Sequence, residues 1–214
     1  MVYCISDIHG ELDRFKAMLD LIHFSHEDTL YIIGDVIDRK PNGVDILRII
    51  MQTHNMVMLL GNHEQMCLET LGPHNTLGAR SLWKSNGGSN TYRELVYGTS
   101  AKERNAILHF IHNLPDFLDI EVDSRKFHLV HGMPGDNLNS RVWGRPVVDS
   151  PAPFDDRLTI IGHTPTVYLN GEGENPFHMW YGNSIIDIDC GCGNLTEKRR
   201  LGCLRLDDMT EFYI

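Results

Sequence analysis

Paired cysteines are missing from this sequence: none of the five, Cys4, Cys67, Cys190, Cys192 and Cys203, forms a CxxC. An odd number without paired spacing excludes a disulfide framework and points to reduced cytosolic thiols. Long hydrophobic runs are missing too, and no stretch approaches the roughly 18 uncharged apolar residues of a membrane-spanning helix. The opening MVYCISDIHG lacks the basic start and small-residue cleavage site of a signal peptide. The cytoplasm is therefore the expected compartment, with no membrane partner. Basic charge is in deficit, 19 Lys and Arg against 29 Asp and Glu for a net charge of -10. Such a chain repels polyanions, so no nucleic-acid partner is expected, although a local cationic pocket for a small phosphate is compatible with it. Repeats, low-complexity tracts and linker-like Ser/Gly/Pro runs are also absent.

What is present is a globular composition, 42% apolar and 22% charged over 214 residues. It excludes long disorder and supports one sizeable core, with residues 1–214 expected as a single domain. Six short apolar runs have the length and β-branched content of buried strands: Met1–Ser6, Thr29–Ile33, Met56–Leu60, Phe127–Val130, Leu158–Ile161 and Ser184–Ile188. Leu12, Phe15, Leu19 and Ile22 mark one helix face, Val44, Leu47 and Ile50 a second, and Ile107, Leu108, Ile111 and Leu114 a third. The first half reads β-α-β-α-β, which predicts an at least partly parallel sheet. Leu201–Leu206 and Glu211–Ile214 predict a closing hairpin. Residues 73–99 read as helical pieces and loops that cap the site, and Pro146–Asp156 as a surface loop. The expected fold class is α/β, a sandwich of two sheets flanked by helices.

The strands end in an unusual way. Asp7 and His9, then Asp35, Asn62, His131 and His163, each follow an apolar run. In α/β folds sites form beyond the carboxyl ends of strands, and there these side chains would converge. Mixed oxygen and nitrogen donors suit manganese, iron or zinc. Six donors are too many for one catalytic ion with an open position, but fit two ions bridged by a carboxylate.

Five motifs follow these runs in order: Asp7-Ile8-His9-Gly10, Gly34-Asp35-Val36-Ile37-Asp38-Arg39, Gly61-Asn62-His63-Glu64, His131-Gly132 and Gly162-His163-Thr164-Pro165. Together they resemble the PPP-type metallophosphoesterases, and specifically the small bacterial and phage serine/threonine phosphatases of the lambda type. The resemblance runs from Met1 to about Leu206, with Asn86-Gly87-Gly88 and Trp143-Gly144-Arg145 adding to it. It implies a metallophosphoesterase-like β-sandwich with a dinuclear site at the strand ends and two divalent ions, manganese first, iron or zinc as alternatives. It assigns one ion to Asp7, His9 and Asp35, and the other to Asp35, Asn62, His131 and His163. It makes His63 the general acid, Asp38 its orienting partner, and Arg39 and Arg145 the phosphate grip. The chain departs from the pattern at Lys40-Pro41, at Gly132-Met133-Pro134-Gly135, and at Asp189-Cys190-Gly191-Cys192-Gly193.

Taken singly, these residues have plainer readings. Asn62 reads as the cap of a helix starting at His63, Asp38 and Arg39 as a surface ion pair worth little, and Arg145 as a solvated loop arginine. Cys190 and Cys192 read as small buried hydrophobes, with metal or redox pairing as the alternative. Lys198-Arg199-Arg200 reads as a solvated edge. His23, His26, His54, His74, His109, His112, His128 and His178 are assigned no function. The expected activity is hydrolysis of phosphoserine and phosphothreonine by direct attack of a metal-bridging hydroxide, with phosphoprotein or small phosphoester as partner. The alternative keeps the site but takes a dinucleoside tetraphosphate, with Trp83, Tyr92, Trp143 and Trp180 as candidate walls for its bases. A phosphodiesterase or nuclease is disfavoured by the acidic charge, and a non-catalytic module by the full ligand set.

Overall fold

The computed structural model of the protein describes residues 1–73, 75–171 and 173–214. His74 lies outside the described residues. Strand β1 (Val2–Ile5), helix α1 (Leu12–Leu21), β2 (Thr29–Ile32), α2 (Gly43–Gln52) and β3 (Met56–Met58) form the expected β-α-β-α-β half. Next come α3 (Asn62–Leu71), α4 (Ala79–Ser85), α5 (Ser89–Arg93), a π-helical turn (Glu94–Gly98) and α6 (Ala101–His112). The second half runs β4 (Phe117–Val122), β5 (Arg125–Val130), α7 (Leu138–Trp143), β6 (Leu158–Ile161), α8 (Val167–Asn170), β7 (Trp180–Tyr181) and β8 (Ile185–Asp187). The hairpin β9 (Gly202–Arg205) and β10 (Thr210–Tyr213) closes it.

Two mixed five-stranded sheets result, ordered β10-β9-β1-β2-β3 and β4-β5-β6-β8-β7. The mutually parallel strands are β1, β2 and β3 in one sheet and β5, β6 and β8 in the other. These are the six strands legible as apolar runs, and their continuous hydrophobicity has a cause. Strands covered on both faces bury alternate side chains in different directions. Tyr3, Ile5, Leu30 and Ile32 pack outward with Phe15 and Met18 of α1 and Leu47 and Ile50 of α2. Cys4 and Ile33 pack inward with Phe127, Leu129, Ile160 and Ile186 of the opposing sheet.

Strands β4 and β7 were not legible as runs. β4 is a half-exposed edge strand, antiparallel to β5 through Asp123-Ser124. Its inward residues alternate as Leu118, Ile120 and Val122, a period-two signal weaker than a buried run. Arg199 departs from the solvated reading, because its Nη2 donates to Glu11 Oε1 at 2.9 Å.

Candidate metal centre

The loops after the parallel strands carry the chemistry, and their backbone is forced into unusual shapes. Asp7, His9, Asp35, Asp38, Arg39 and His163 all have positive φ, between 48° and 74°. Such left-handed positions cost about 1–3 kcal/mol each and persist where the surroundings over-determine them. Here each strand stops by turning its first polar side chains into the space between the sheet ends. The chain packs tightly around them. A Cβ at Gly61 would overlap the Asp35 carboxylate, and one at Gly162 would overlap Ser6 and Asp7.

Asp7, His9, Asp35, Asp38, Asn62, His63, His131 and His163 converge and are all buried. Asp35 lies at the centre. Its Oδ1 is 3.3 Å from His131 Nε2 and its Oδ2 3.6 Å from His9 Nε2. Asn62 turns its Oδ1 to His131 Nε2 at 3.0 Å. Asn62 therefore does not act as the cap; it is the first residue of α3, and Gly61 precedes it as cap. Asp7 accepts on Oδ2 from Ser6 Oγ at 2.6 Å and from the His163 amide at 3.0 Å, which leaves Oδ1 facing His9 at 3.6 Å.

Ligand atoms of His9, Asp35 and His63 lie within 4.8 Å of one another, and so do those of Asp35, His131 and His163. Asp35 is common to both groups. Two features show that these donors suit cations. First, His9 donates Nδ1–H to the Ile37 carbonyl at 3.0 Å, so its Nε2 presents a lone pair. Among the described residues, that Nε2 and His163 Nε2 have no hydrogen-bond partner, although both are buried. Buried acceptors without donors are costly, and a cation relieves that cost. Second, the buried acids Asp7, Asp35, Asp38 and Glu64 crowd around few permanent charges. Charges so placed require a counter-charge. Burial, then His131, pushes His163 down to about 3, so its imidazole is neutral, the ligating form. Burial opposes protonation of His131, but the Asp35 charge outweighs it and lifts the group to about 10, so a cation there would have to displace a proton.

His63 stands apart from the other imidazoles. Its Nδ1 meets Asp38 Oδ2 at 2.7 Å, while its Nε2 points toward Asp35 Oδ2 at 3.7 Å. Burial works against its protonation, but Asp35 and then Asp38 raise its pKa. Asp38 is fully buried, which removes the surface-ion-pair reading. Trp83 Nε1 donates to the same Asp38 oxygen at 2.6 Å. Trp83 is therefore a buried hydrogen-bond donor from α4. Trp143 instead sets its ring edge on His163 and donates to Gln65, and Trp180 sits in β7 of the far sheet.

Arg39 and Arg145 reach the mouth of the cluster, where with His163, Pro165, Tyr168 and Asn194 they line an open cavity of about 500 Å³. Arg145 Nη1 donates to the His163 carbonyl at 3.2 Å, which ties the loop arginine to the site. The five thiols are all buried, and burial holds each well above its ordinary pKa, so none is a nucleophile.

Glu64 was absent from the sequence-derived site, yet it frames it. Its carboxylate accepts from the backbone N–H groups of Asp35 at 2.9 Å, Val36 at 3.0 Å, Ile37 at 3.3 Å and Gly61 at 3.2 Å. The last contact is the reach of an N3 glutamate back to its helix cap, a spacing visible in Gly61-Asn62-His63-Glu64. Burial, then the Asp35 charge, raises Glu64 to about 7. Glu64→Leu would leave these buried donors unmatched, at about 1–3 kcal/mol apiece. We expect a fall of at least about 6 °C in the melting temperature of the metal-free protein, read by calorimetry. A fall of less than about 2 °C would mean that the loop does not depend on Glu64.

A family model described as calcineurin-like phosphoesterase matches residues 1–191. Serine/threonine-protein phosphatase 2 of Escherichia coli (strain K12) is 30% identical over 202 residues, 90% of this chain and 88% of that one. The symmetrical bis(5'-nucleosyl)-tetraphosphatase of Wigglesworthia glossinidia brevipalpis is 47% identical over 64 residues, 29% of this chain and 24% of its own. The solved metallophosphoesterase of Sphaerobacter thermophilus superposes with a TM-score of 0.60 at 18% identity, covering 99% of this chain and 86% of that one. At that identity the likeness speaks for the fold.

Proposed function

The chain belongs to the calcineurin-like phosphoesterases, and on that footing we propose that it is a serine/threonine protein phosphatase, a phosphomonoesterase dependent on two divalent ions, manganese first. The observation that carries this reading is the buried His63–Asp38 pair beside the donor cluster. A proton donor for the departing oxygen is needed when that oxygen belongs to an alkyl alcohol such as serine or threonine. The relative matched over nearly the whole chain is named as a protein phosphatase.

Asp7, His9 and Asp35 would hold one ion and Asp35, Asn62, His131 and His163 the other. When bound, two divalent ions supply an activated water and offset the charge of the phosphoryl group. The chain's own residues do the rest. Arg39 and Arg145 take the phosphate oxygens through paired N–H donors and fix the phosphorus at the cavity floor. Asp38, held by Trp83, fixes the His63 ring and keeps it cationic, so Nε2 carries the proton that the leaving alkoxide needs. The neutral thiols contribute no phosphoenzyme step.

The second reading, a dinucleoside tetraphosphate hydrolase, is favoured by the 47% identical segment. The two separate in one experiment: turnover of a phosphothreonine peptide and of diadenosine tetraphosphate side by side with manganese. We expect the peptide to have the higher kcat/KM by about tenfold or more, a difference of about 1.4 kcal/mol in transition-state binding. The reverse ratio transfers the chain to the second reading. No turnover of p-nitrophenyl phosphate with any divalent metal would sink both.

A further inference from the structure

The cap formed by α4, α5 and the π-helical turn carries a second cavity, of about 230 Å³. Trp83 and Tyr92 form its aromatic part, Tyr97 is its exposed wall, and Arg80, Lys84 and Arg93 surround it. No carboxylate among the described residues lines it. Among the described residues, none of the three cations makes an ion pair, whereas the neighbouring acid Glu94 is already held by Arg48 at 3.1 Å. The Arg80 guanidinium rests 4.3 Å above the Tyr92 ring, which pre-positions it. In a chain of net charge -10 this is an uncompensated positive concavity.

Its position relates it to the chemistry. Trp83 separates the cavity from Asp38, to which its indole donates. The Gly87 carbonyl accepts from the Arg39 amide at 3.2 Å, and Gly88, the next residue, lines the cavity. The cavity and the phosphate-binding mouth at Arg39 are thus separated by a single stretch of backbone.

Resting on the phosphatase reading above, we infer that this cavity is a specificity site for acidic side chains flanking the phosphorylated residue of a peptide substrate. Three cations spread over two helices suit several carboxylates in sequence better than one compact anion. Leu82 and Tyr97, both exposed on the same cap, offer apolar contact to the peptide chain between them. The cations lie outside the donor cluster, so they act on binding and not on the bond that breaks.

The experiment compares wild type with the double variant Arg80→Glu, Arg93→Glu, both full-length and manganese-loaded. Substrates are p-nitrophenyl phosphate and two phosphothreonine peptides, one flanked by glutamates and one by glutamines. Wild type should favour the glutamate peptide about tenfold in KM, the size expected for a few exposed charge contacts. The variant should lose that preference, with kcat unchanged and p-nitrophenyl phosphate turnover as in wild type. Binding of the fluorescent glutamate peptide to metal-free protein, read by anisotropy, should weaken about tenfold in the variant and with added salt. This readout does not depend on catalysis. Equal KM for the two peptides in wild type, or equal peptide affinity of variant and wild type, overturns the inference even where p-nitrophenyl phosphate is turned over. Absence of that turnover instead counts against the phosphatase reading and leaves the anisotropy result to decide the cavity. Diadenosine tetraphosphate binding tighter than the peptide, and lost in the variant, would overturn the peptide assignment in favour of a polyphosphate.

Discussion

Asp35→Asn should empty the site and abolish turnover together. Asp35 is the one residue shared by both groups of converging donors, with His9 and His63 on one side and His131 and His163 on the other. Substitution by asparagine keeps the shape but removes the charge, and it replaces one acceptor oxygen by a donor group. Both groups of converging donors would lose that charge at once. His131 would also lose the carboxylate oxygen that lies 3.3 Å from its Nε2. Several kcal/mol of transition-state stabilisation are at stake, which corresponds to a fall in kcat of about 10³-fold or more. The measurement is metal content by atomic absorption after dialysis, alongside turnover, with circular dichroism to confirm the fold. Metal retained at wild-type stoichiometry would show that Asp35 is not the shared ligand.

Much of the architecture is legible in the sequence because of how the parallel strands are buried. A strand covered on both faces reads as an unbroken apolar run, and β1, β2, β3, β5, β6 and β8 were visible for that reason. The edge strand β4 has exposed Phe117, Asp119 and Glu121 alternating with its apolar residues, and the pattern is diluted. β7 is two residues long, below what any periodicity can reveal. Helices α7 and α8 are equally short, six and four residues, and owe their existence to the loops they bridge.

The donor set was legible because each strand ends in a polar side chain at the same structural position. What the sequence did not disclose is how those side chains are held. The positive φ angles at Asp7, His9, Asp35 and His163 are held by the surrounding packing, and no spacing announces them. Glu64 acts across 29 residues on the Asp35 amide, and Trp83 acts across 45 on Asp38. Both contacts exist only after the cap and the second strand loop have packed, so they belong to tertiary structure. The bland readings of Asn62 and Asp38 fail for the same reason: local spacing suggested a cap and a surface pair, and burial against residues distant in sequence overrode both.

His63→Asn tests a different role and should leave the metals in place. The geometry groups His63 with His9 and Asp35 as well as with Asp38, so a ligand role and a proton-donor role both have contacts to support them. The two carboxylates beside the ring raise its pKa, which supports the proton-donor role, and the metal content of the variant separates the two roles. General-acid catalysis contributes about 10²–10⁴-fold, so kcat on an alkyl phosphate should fall by about that factor. The fall should be much smaller on p-nitrophenyl phosphate, whose leaving group departs without a proton. Asp38→Asn and Trp83→Phe should show the same dependence on leaving group more weakly, since they act through the ring of His63. Arg145→Ala should reduce both substrates alike, because it lines the mouth of the cavity, where the proposed role places it on the phosphate and not on the leaving oxygen. Stripped metal in His63→Asn would make His63 a ligand beside His9 and Asp35. Equal losses on both substrates, with the metal retained, would remove proton transfer from its role altogether.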